Sequence, residues 1–194
     1  MKIAGLILAG GQSRRMGADK ALLRLAGQPL LARVASLLAP QVAVLALSGG
    51  SAPARLAGFG WPVLPDPPGL AGQGPLAGVL AGLDWAVAQG AVALVTVPVD
   101  TPFLPADLVT RLTDVGGAAF AESRGRDHPT VALWPVTARS ALVARLDTGE
   151  RRLRAALDGA ARVSFAGTPD PFFNLNTPED LASAEDWVRE AAPW

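Results

Sequence analysis

Apolar runs that leave no polar face, separated by stretches of helical spacing, predict an α/β fold of three layers with a mainly parallel sheet at its centre. The runs are Lys2 to Leu8, Val42 to Leu47 and Ala91 to Pro98. Each is apolar at successive rather than alternate positions, as a strand covered on both faces requires. Strand and helix signals alternate along the chain, which calls for crossover connections between parallel strands. All 194 residues, 1–194, are expected to form one domain, long enough to bury a core.

The first strand runs into a glycine-rich loop at Gly10-Gly11, and Pro29 then opens a helix whose Leu30, Leu31, Val34, Leu37 and Leu38 recur with helical spacing until Pro40. The second apolar run is expected to stop at Ser48-Gly49-Gly50-Ser51. From Gly58 to Gly78 the chain is rich in glycine and proline, with a short strand near Trp61 to Leu64; a loop of this length in a compact domain is usually functional. Leu76, Val79, Leu80, Leu83 and Val87 mark a helix that Gly90 ends. The third run delivers Asp100 beyond its carboxyl end. Further on, the spacing predicts a helix over Pro105 to Thr113, a short strand over Ala118 to Ala121, a polar turn from Glu122 to His128 and a strand from Pro129 to Trp134. Helices over Thr137 to Leu146 and Glu150 to Leu157 follow, then a strand near Arg162 to Phe165. The last helix starts with Thr177 as cap, Pro178 in first position and Asp180 in the capping-box position.

Composition limits the function. Half the residues are hydrophobic and 18% are charged, which excludes disorder. Seventeen basic residues balance seventeen acidic ones, against broad nucleic-acid binding driven by net charge. With no cysteine and one histidine, His128, neither disulfides nor thiolate metal sites can form, and a zinc site is not expected. Pro40, Gly49, Gly50 and Pro53 break the uncharged stretch Val34 to Ala54, so no membrane span is expected, and the protein is expected in the cytoplasm.

The glycine-rich loop carries the chemistry. Gly10 and Gly11 allow a sharp turn and bring backbone N–H groups close to an anion, while Arg14, Arg15 and Lys20 add positive charge suited to a triphosphate. The spacing is neither that of a Walker A loop nor that of a dinucleotide-binding G-x-G-x-x-G. The bland alternative is a glycine-rich surface turn with solvated basic residues. Asp100, at the mouth of a buried strand, suits a Mg²⁺ ion that keeps several waters and takes further ligands from phosphates; otherwise it is a helix cap.

The string Leu8-Ala9-Gly10-Gly11-Gln12-Ser13-Arg14-Arg15-Met16-Gly17-Ala18-Asp19-Lys20 resembles the signature loop of nucleotidyltransferases, and among them most that of the molybdenum cofactor guanylyltransferases. Pro98-Val99-Asp100-Thr101-Pro102, Gly74-Pro75-Leu76-Ala77-Gly78, Arg126-Asp127-His128-Pro129-Thr130, Thr148-Gly149-Glu150-Arg151-Arg152 and Asn174-Leu175-Asn176-Thr177-Pro178 also match that family, in its order. The resemblance spans Leu6 to about Leu181. It implies the Rossmann-like fold of the nucleotide-diphospho-sugar transferases and GTP binding by Leu8, Ala9, Gly10, Gly11, Lys20, Asp66, Gly74, Gly78 and Asp100. It further implies catalysis by Arg15, Lys20 and Asp100, Mg²⁺ on Asp100, and molybdopterin held by His128, Asn174 and Asn176. One position departs: where the family carries an asparagine at the end of the second strand, this chain has Leu47-Ser48.

The implied reaction is attack by the terminal phosphate of molybdopterin on the α-phosphorus of GTP. A phosphate monoester is already ionised near neutrality, its second pKa being about 6, so no strong general base is needed. The substrates are then the partners, with transient contact to molybdoenzymes or their chaperones a further expectation. Cytidylyl transfer to the same pterin, nucleotide-sugar synthesis and a non-catalytic nucleotide-binding carrier are the alternatives.

Overall fold

A computed structural model gives the fold and describes residues 1–10 and 19–191. β1 (Ile3–Leu8) is followed by a 3-10 turn at Lys20–Leu22, a small ladder of β2 (Arg24–Leu25) with β3 (Gln28–Pro29), and α1 (Leu30–Leu38). Next come β4 (Val44–Gly50), a 3-10 segment at Pro53–Phe59, β5 (Val63–Pro65), α2 (Pro75–Ala88) and β6 (Ala93–Pro98). They lead to α3 (Leu108–Thr113), β7 (Ala119–Ser123), β8 (Arg126–Pro135), α4 (Arg139–Asp147), α5 (Leu153–Ala156), β9 (Ala161–Ser164) and α6 (Pro178–Ala191).

The main sheet has seven strands in the order β5-β4-β1-β6-β8-β7-β9. All neighbours run parallel except β8, which is antiparallel to both β6 and β7. Alternate residues of the apolar strands feed opposite faces. Ile3, Ile7, Leu47, Val95 and Val97 pack with α1 and α3, while Ala4, Leu6, Ala46 and Leu94 pack with α2, α4 and α5. The three layers are therefore as expected. α6 closes a smaller cluster with Leu25, Leu30 and Leu175. None of the helices among the described residues is long and apolar enough to cross a membrane.

Gly78 and Gly82 let α2 lie close on the sheet: a Cβ on Gly82 would stand 2.6 Å from Leu6 Cδ2, and one on Gly78 would stand 2.5 Å from Ser48 Oγ. The predicted capping box forms as read. Asp180 N–H donates to Thr177 Oγ1 at 3.1 Å, and Asp180 Oδ2 accepts from Thr177 N–H at 2.9 Å.

Several boundaries differ from expectation. β4 continues through Ser48, Gly49 and Gly50, because these residues run along β1 and β5 instead of turning away. The polar stretch from Glu122 to His128 is mostly strand, closed by a tight turn in which Arg124 and Gly125 have φ of 51° and 77°. Two such left-handed residues match the twist of a hairpin. Along it, Glu122 accepts from Gly125 N–H at 2.6 Å and from Ser164 Oγ at 2.6 Å, so the polar side chains are satisfied within the sheet edge. The pairing slips between Ala121↔His128 and Phe120↔Ala132, where Pro129 has no N–H to give. α5 starts later than predicted. Glu150 takes the N–H groups of Arg151 and Arg152, at 2.9 and 2.8 Å, and keeps both residues outside the helix.

Candidate active site

The carboxyl ends of β1, β4, β5 and β6 share one rim, since these strands are parallel. Ala9 N–H donates to Ser48 O at 3.2 Å, Val99 N–H to Leu8 O at 3.2 Å, and Asp66 N–H to Gly50 O at 3.3 Å. Leu8, Ala9, Gly10, Asp66 and Asp100 therefore stand along adjacent strand ends, where such sheets bind ligands. Gly10 faces Gly50 so closely that a Cβ on Gly10 would come within 3.0 Å of Gly50 Cα. A side chain there would press on the backbone of Gly50, which gives the first glycine of the loop a structural reason. Gly11, Arg14 and Arg15 lie outside the described residues.

Three segments meet at Lys20. Its Nζ donates to Asp100 Oδ2 at 2.7 Å and to Asn176 Oδ1 at 2.6 Å, and the Lys20 and Asp100 side chains are each 17% exposed. Leu175 N–H donates to Asp100 O at 3.0 Å, which docks the asparagine segment on the turn after β6. Asn174 and Asn176 are exposed on either side of buried Leu175. The structure thus brings Lys20, Asp100 and Asn176 together. The helix-cap reading of Asp100 does not hold: α3 begins at Leu108, and Gln41 Oε1 accepts from Val109 N–H at 3.1 Å in its first turn.

Asp66 and Gly74 shape the neighbouring loop, and Gly78 stands inside α2. Asp66 Oδ2 accepts from Gly72 N–H at 2.9 Å, and Gly74, with φ of 95°, precedes Pro75 at the start of α2. Gly78 lies against Ser48 and serves close packing. Gln73 in the same loop accepts from Arg151 Nε at 2.8 Å, and Arg151 also donates to Leu146 O at 2.7 Å. The Glu150-Arg151-Arg152 segment therefore braces the loop. Hydrogen bonds from the Arg152 side chain and from backbone N–H groups hold the Glu150 carboxyl down at about 2.

His128 is half-buried on β8, its ring 5.0 Å from that of Phe172. Ser123 Oγ lies 2.8 Å from His128 Nε2 and donates its one proton to Asp170 Oδ1 at 2.7 Å. The bond to the ring must then be given by Nε2–H, which leaves Nδ1 as the unprotonated nitrogen. Serine stands in the middle and donates its hydroxyl hydrogen to the carboxylate, not to the ring, so this is not an activated nucleophile. The chain ties the β7–β8 hairpin to the segment that leads into Asn174 and Asn176. Its neighbour Asp127 is held by Arg154 at 3.1 Å and Arg162 at 2.9 Å.

Burial lowers the His128 pKa, outweighing the opposing pull of Asp170. The neutral ring is thus favoured in the folded state, so its contribution to stability is present above the unfolded value of about 6.5 and is lost as pH falls below it. The thermal midpoint is expected to fall more between about pH 7.5 and 5.5 than in His128→Gln, which keeps a donor toward Ser123. Parallel curves for the two proteins would refute that assignment.

Sequence reading missed Arg55. From the 3-10 segment Pro53–Phe59, Arg55 pairs with the Asp19 carboxylate and donates to Ala9 O. No motif marks it, and its partners lie far away along the chain.

A family model described as MobA-like NTP transferase domain matches residues 5–163. The molybdenum cofactor guanylyltransferase of Rhodobacter capsulatus is 56% identical over 193 residues, covering 100% of both chains. That of Cereibacter sphaeroides is 55% identical over 199 residues, covering 99% of this chain and 100% of the relative. Among solved structures, the molybdopterin-guanine dinucleotide biosynthesis protein A of Archaeoglobus fulgidus superposes with a TM-score of 0.76 at 23% identity, over 98% of this chain and 100% of the other. The 4-diphosphocytidyl-2C-methyl-D-erythritolsynthase of Anaerococcus prevotii reaches a TM-score of 0.74 at 10% identity, over 97% and 98%. These two share the fold. A family match across most of the chain, with relatives more than half identical along its whole length, establishes kinship: the chain belongs to the MobA-like NTP transferase family.

Proposed function

We propose that this protein transfers GMP from GTP to the terminal phosphate of molybdopterin, releasing pyrophosphate and forming molybdopterin guanine dinucleotide. The observation that carries the reading is the meeting of Lys20, Asp100 and Asn176, which joins the end of the glycine-rich loop, the β6 carboxylate and the asparagine segment in one cluster. A phosphate oxygen of the pterin attacks the α-phosphorus, an O–P bond forms, and the bond from the α-phosphorus to the bridging oxygen breaks. The electron pair leaves with pyrophosphate. The chain's task is alignment and charge: Lys20 supplies a cation at the phosphates, the Leu8–Gly10 backbone borders the nucleotide, and Asn174 and Asn176 border the acceptor. Arg15 adds a second cation.

Asp100 Oδ2 already faces a cation, and Asn176 Oδ1 is a neighbouring oxygen donor. Among the described residues no group of three or more His, Cys, Asp or Glu converges to form a full metal shell. One carboxylate fits a Mg²⁺ that completes its shell with waters and substrate phosphates. When bound, Mg²⁺ would draw charge from the phosphates and help pyrophosphate leave. His128 acts on the acceptor side by bracing the asparagine segment. We place the protein in the cytoplasm as one domain, with GTP and molybdopterin as its partners and transient contact with molybdoenzymes or their chaperones, and with neither nucleic acid nor membrane.

Base choice is the point on which a cytidylyltransferase remains the rival. Leu47 is fully buried in the core and Ser48 is 4% exposed against Gly78, so neither offers a base the side chain that an asparagine there would. Selection then falls to backbone groups at Leu8–Gly10 and in the Asp66–Gly74 loop. Calorimetric titration with GTP, CTP, ATP and UTP is expected to show GTP binding at least about tenfold tighter than CTP, the margin of one or two well-made hydrogen bonds. Equal affinities, or tighter CTP, would favour the cytidylyl reading.

A further inference from the structure

Residues 11–18 are bounded by Ala9-Gly10 on one side and Asp19-Lys20 on the other, and one side chain reaches both boundaries. Arg55 donates to the carbonyl of Ala9 and pairs with Oδ2 of Asp19. Its partners are 46 and 36 residues away in sequence, and the two charged side chains are 24% and 23% exposed. The oxygens of Asp19 divide the work: Oδ1 accepts from Ala21 N–H at 3.1 Å and caps the 3-10 turn that carries Lys20, while Oδ2 takes Arg55. A guanidinium suits this task, because its planar fork gives two bonds in fixed directions where an ammonium gives a mobile point charge. The segment that bears Arg55 is anchored separately. Leu56 is fully buried in the core, and Pro53 lies against Gly49 of β4 so closely that a Cβ there would stand 2.6 Å from Pro53 Cα.

We infer that Arg55 is a positioning residue of the nucleotide site: it joins the backbone that enters the glycine-rich loop to the backbone that leaves it, and so fixes where Lys20 stands relative to Ala9 and Asp100. A surface ion pair would do something else. It would touch one partner, add little to stability and leave turnover alone. Here the Arg55 fork spans both ends of the loop, and Lys20 follows Asp19 directly, so releasing the fork moves the lysine that meets Asp100. The activity readout rests on the proposed nucleotidyl transfer; the exchange readout rests on geometry alone.

The test compares Arg55→Met, Arg55→Lys, Asp19→Asn and the double variant Arg55→Met/Asp19→Asn with the unaltered protein. Asp19→Asn keeps an oxygen for Ala21 N–H and removes the charge that Arg55 meets. Arg55→Met and Asp19→Asn are each expected to lose about tenfold in kcat/KM for GTP, since a misplacement near 1 Å costs on the order of a hundredfold and this one is partial. The double variant is expected to lose no more than either single one, because both break the same contact. Arg55→Lys is expected to recover less than half of the loss. Hydrogen exchange of the ligand-free protein is expected to quicken at Ala21, Leu22 and Leu23 in Arg55→Met and to stay unchanged in β6. Additive losses, or unchanged exchange at these amides, would overturn the inference. If the unaltered protein turns over no GTP, the proposed function fails, and the exchange result still decides the clamp.

Discussion

Lys20→Ala is expected to lower turnover on the order of a hundredfold or more, with far-UV circular dichroism unchanged, because it removes a cation from the charge that develops on the phosphates. The structure gives this expectation a specific form. Lys20 Nζ sits between Asp100 Oδ2 at 2.7 Å and Asn176 Oδ1 at 2.6 Å, so its loss leaves a carboxylate and an amide facing one another without a cation. Repulsion between Asp100 and the incoming triphosphate then rises, and both KM for GTP and kcat suffer. Lys20→Arg keeps the charge, yet its fork cannot take the place of a mobile ammonium between two close oxygens, so only part of the activity returns. The backbone of the 3-10 turn is held by Asp19, not by the lysine side chain, and the fold survives. Steady-state kinetics of the three proteins make the check; near-normal turnover in Lys20→Ala would reduce Lys20 to a structural ion pair.

Asp100→Asn is expected to lose most activity, fold normally and regain part of its rate when Mg²⁺ is raised. Asparagine keeps the size and one oxygen of the side chain but not the charge, and the substrate phosphates still offer ligands. The turn is secured by backbone and neighbours: Asp100 O accepts from Leu175 N–H at 3.0 Å, Thr101 Oγ1 donates to Pro98 O at 2.9 Å, and Arg33 Nε donates to Pro102 O at 3.0 Å. None of these needs the carboxylate. The variant still offers Lys20 an amide oxygen beside that of Asn176, losing only the ion pair, so GTP binding measured without metal should change much less than the rate does. Activity titrated against Mg²⁺ for both proteins carries the decision, and superimposable curves would remove Asp100 from the metal site.

The layers of the fold were legible because burial on both faces leaves its mark at every position of Ile3–Ile7 and Ala93–Pro98, and the capping box at Thr177 was legible because all its bonds lie within four residues. Asp66 and Asp100 could be placed on one rim for the same reason: each follows a strand end that the apolar pattern marks. Contacts between distant segments leave no such trace. Lys20 and Asn176 are 156 residues apart, and nothing in either motif says that one side chain meets the other. Arg55 is hidden in the same way, since an arginine in a turn-rich stretch reads as solvated until its partners are known. The Glu122–His128 hairpin was obscured for another reason. Polar residues satisfied by Ser164 and by their own turn look, in sequence, like residues exposed in a loop.

The most direct test of the whole account is the product of one reaction. The protein is incubated with GTP, molybdopterin and Mg²⁺, pyrophosphate is counted, and the pterin is identified by mass spectrometry. The account predicts molybdopterin guanine dinucleotide, with one pyrophosphate released for each dinucleotide and none released when molybdopterin is left out. Pyrophosphate release that does not depend on the pterin, or an unaltered pterin after GTP is consumed, would contradict it.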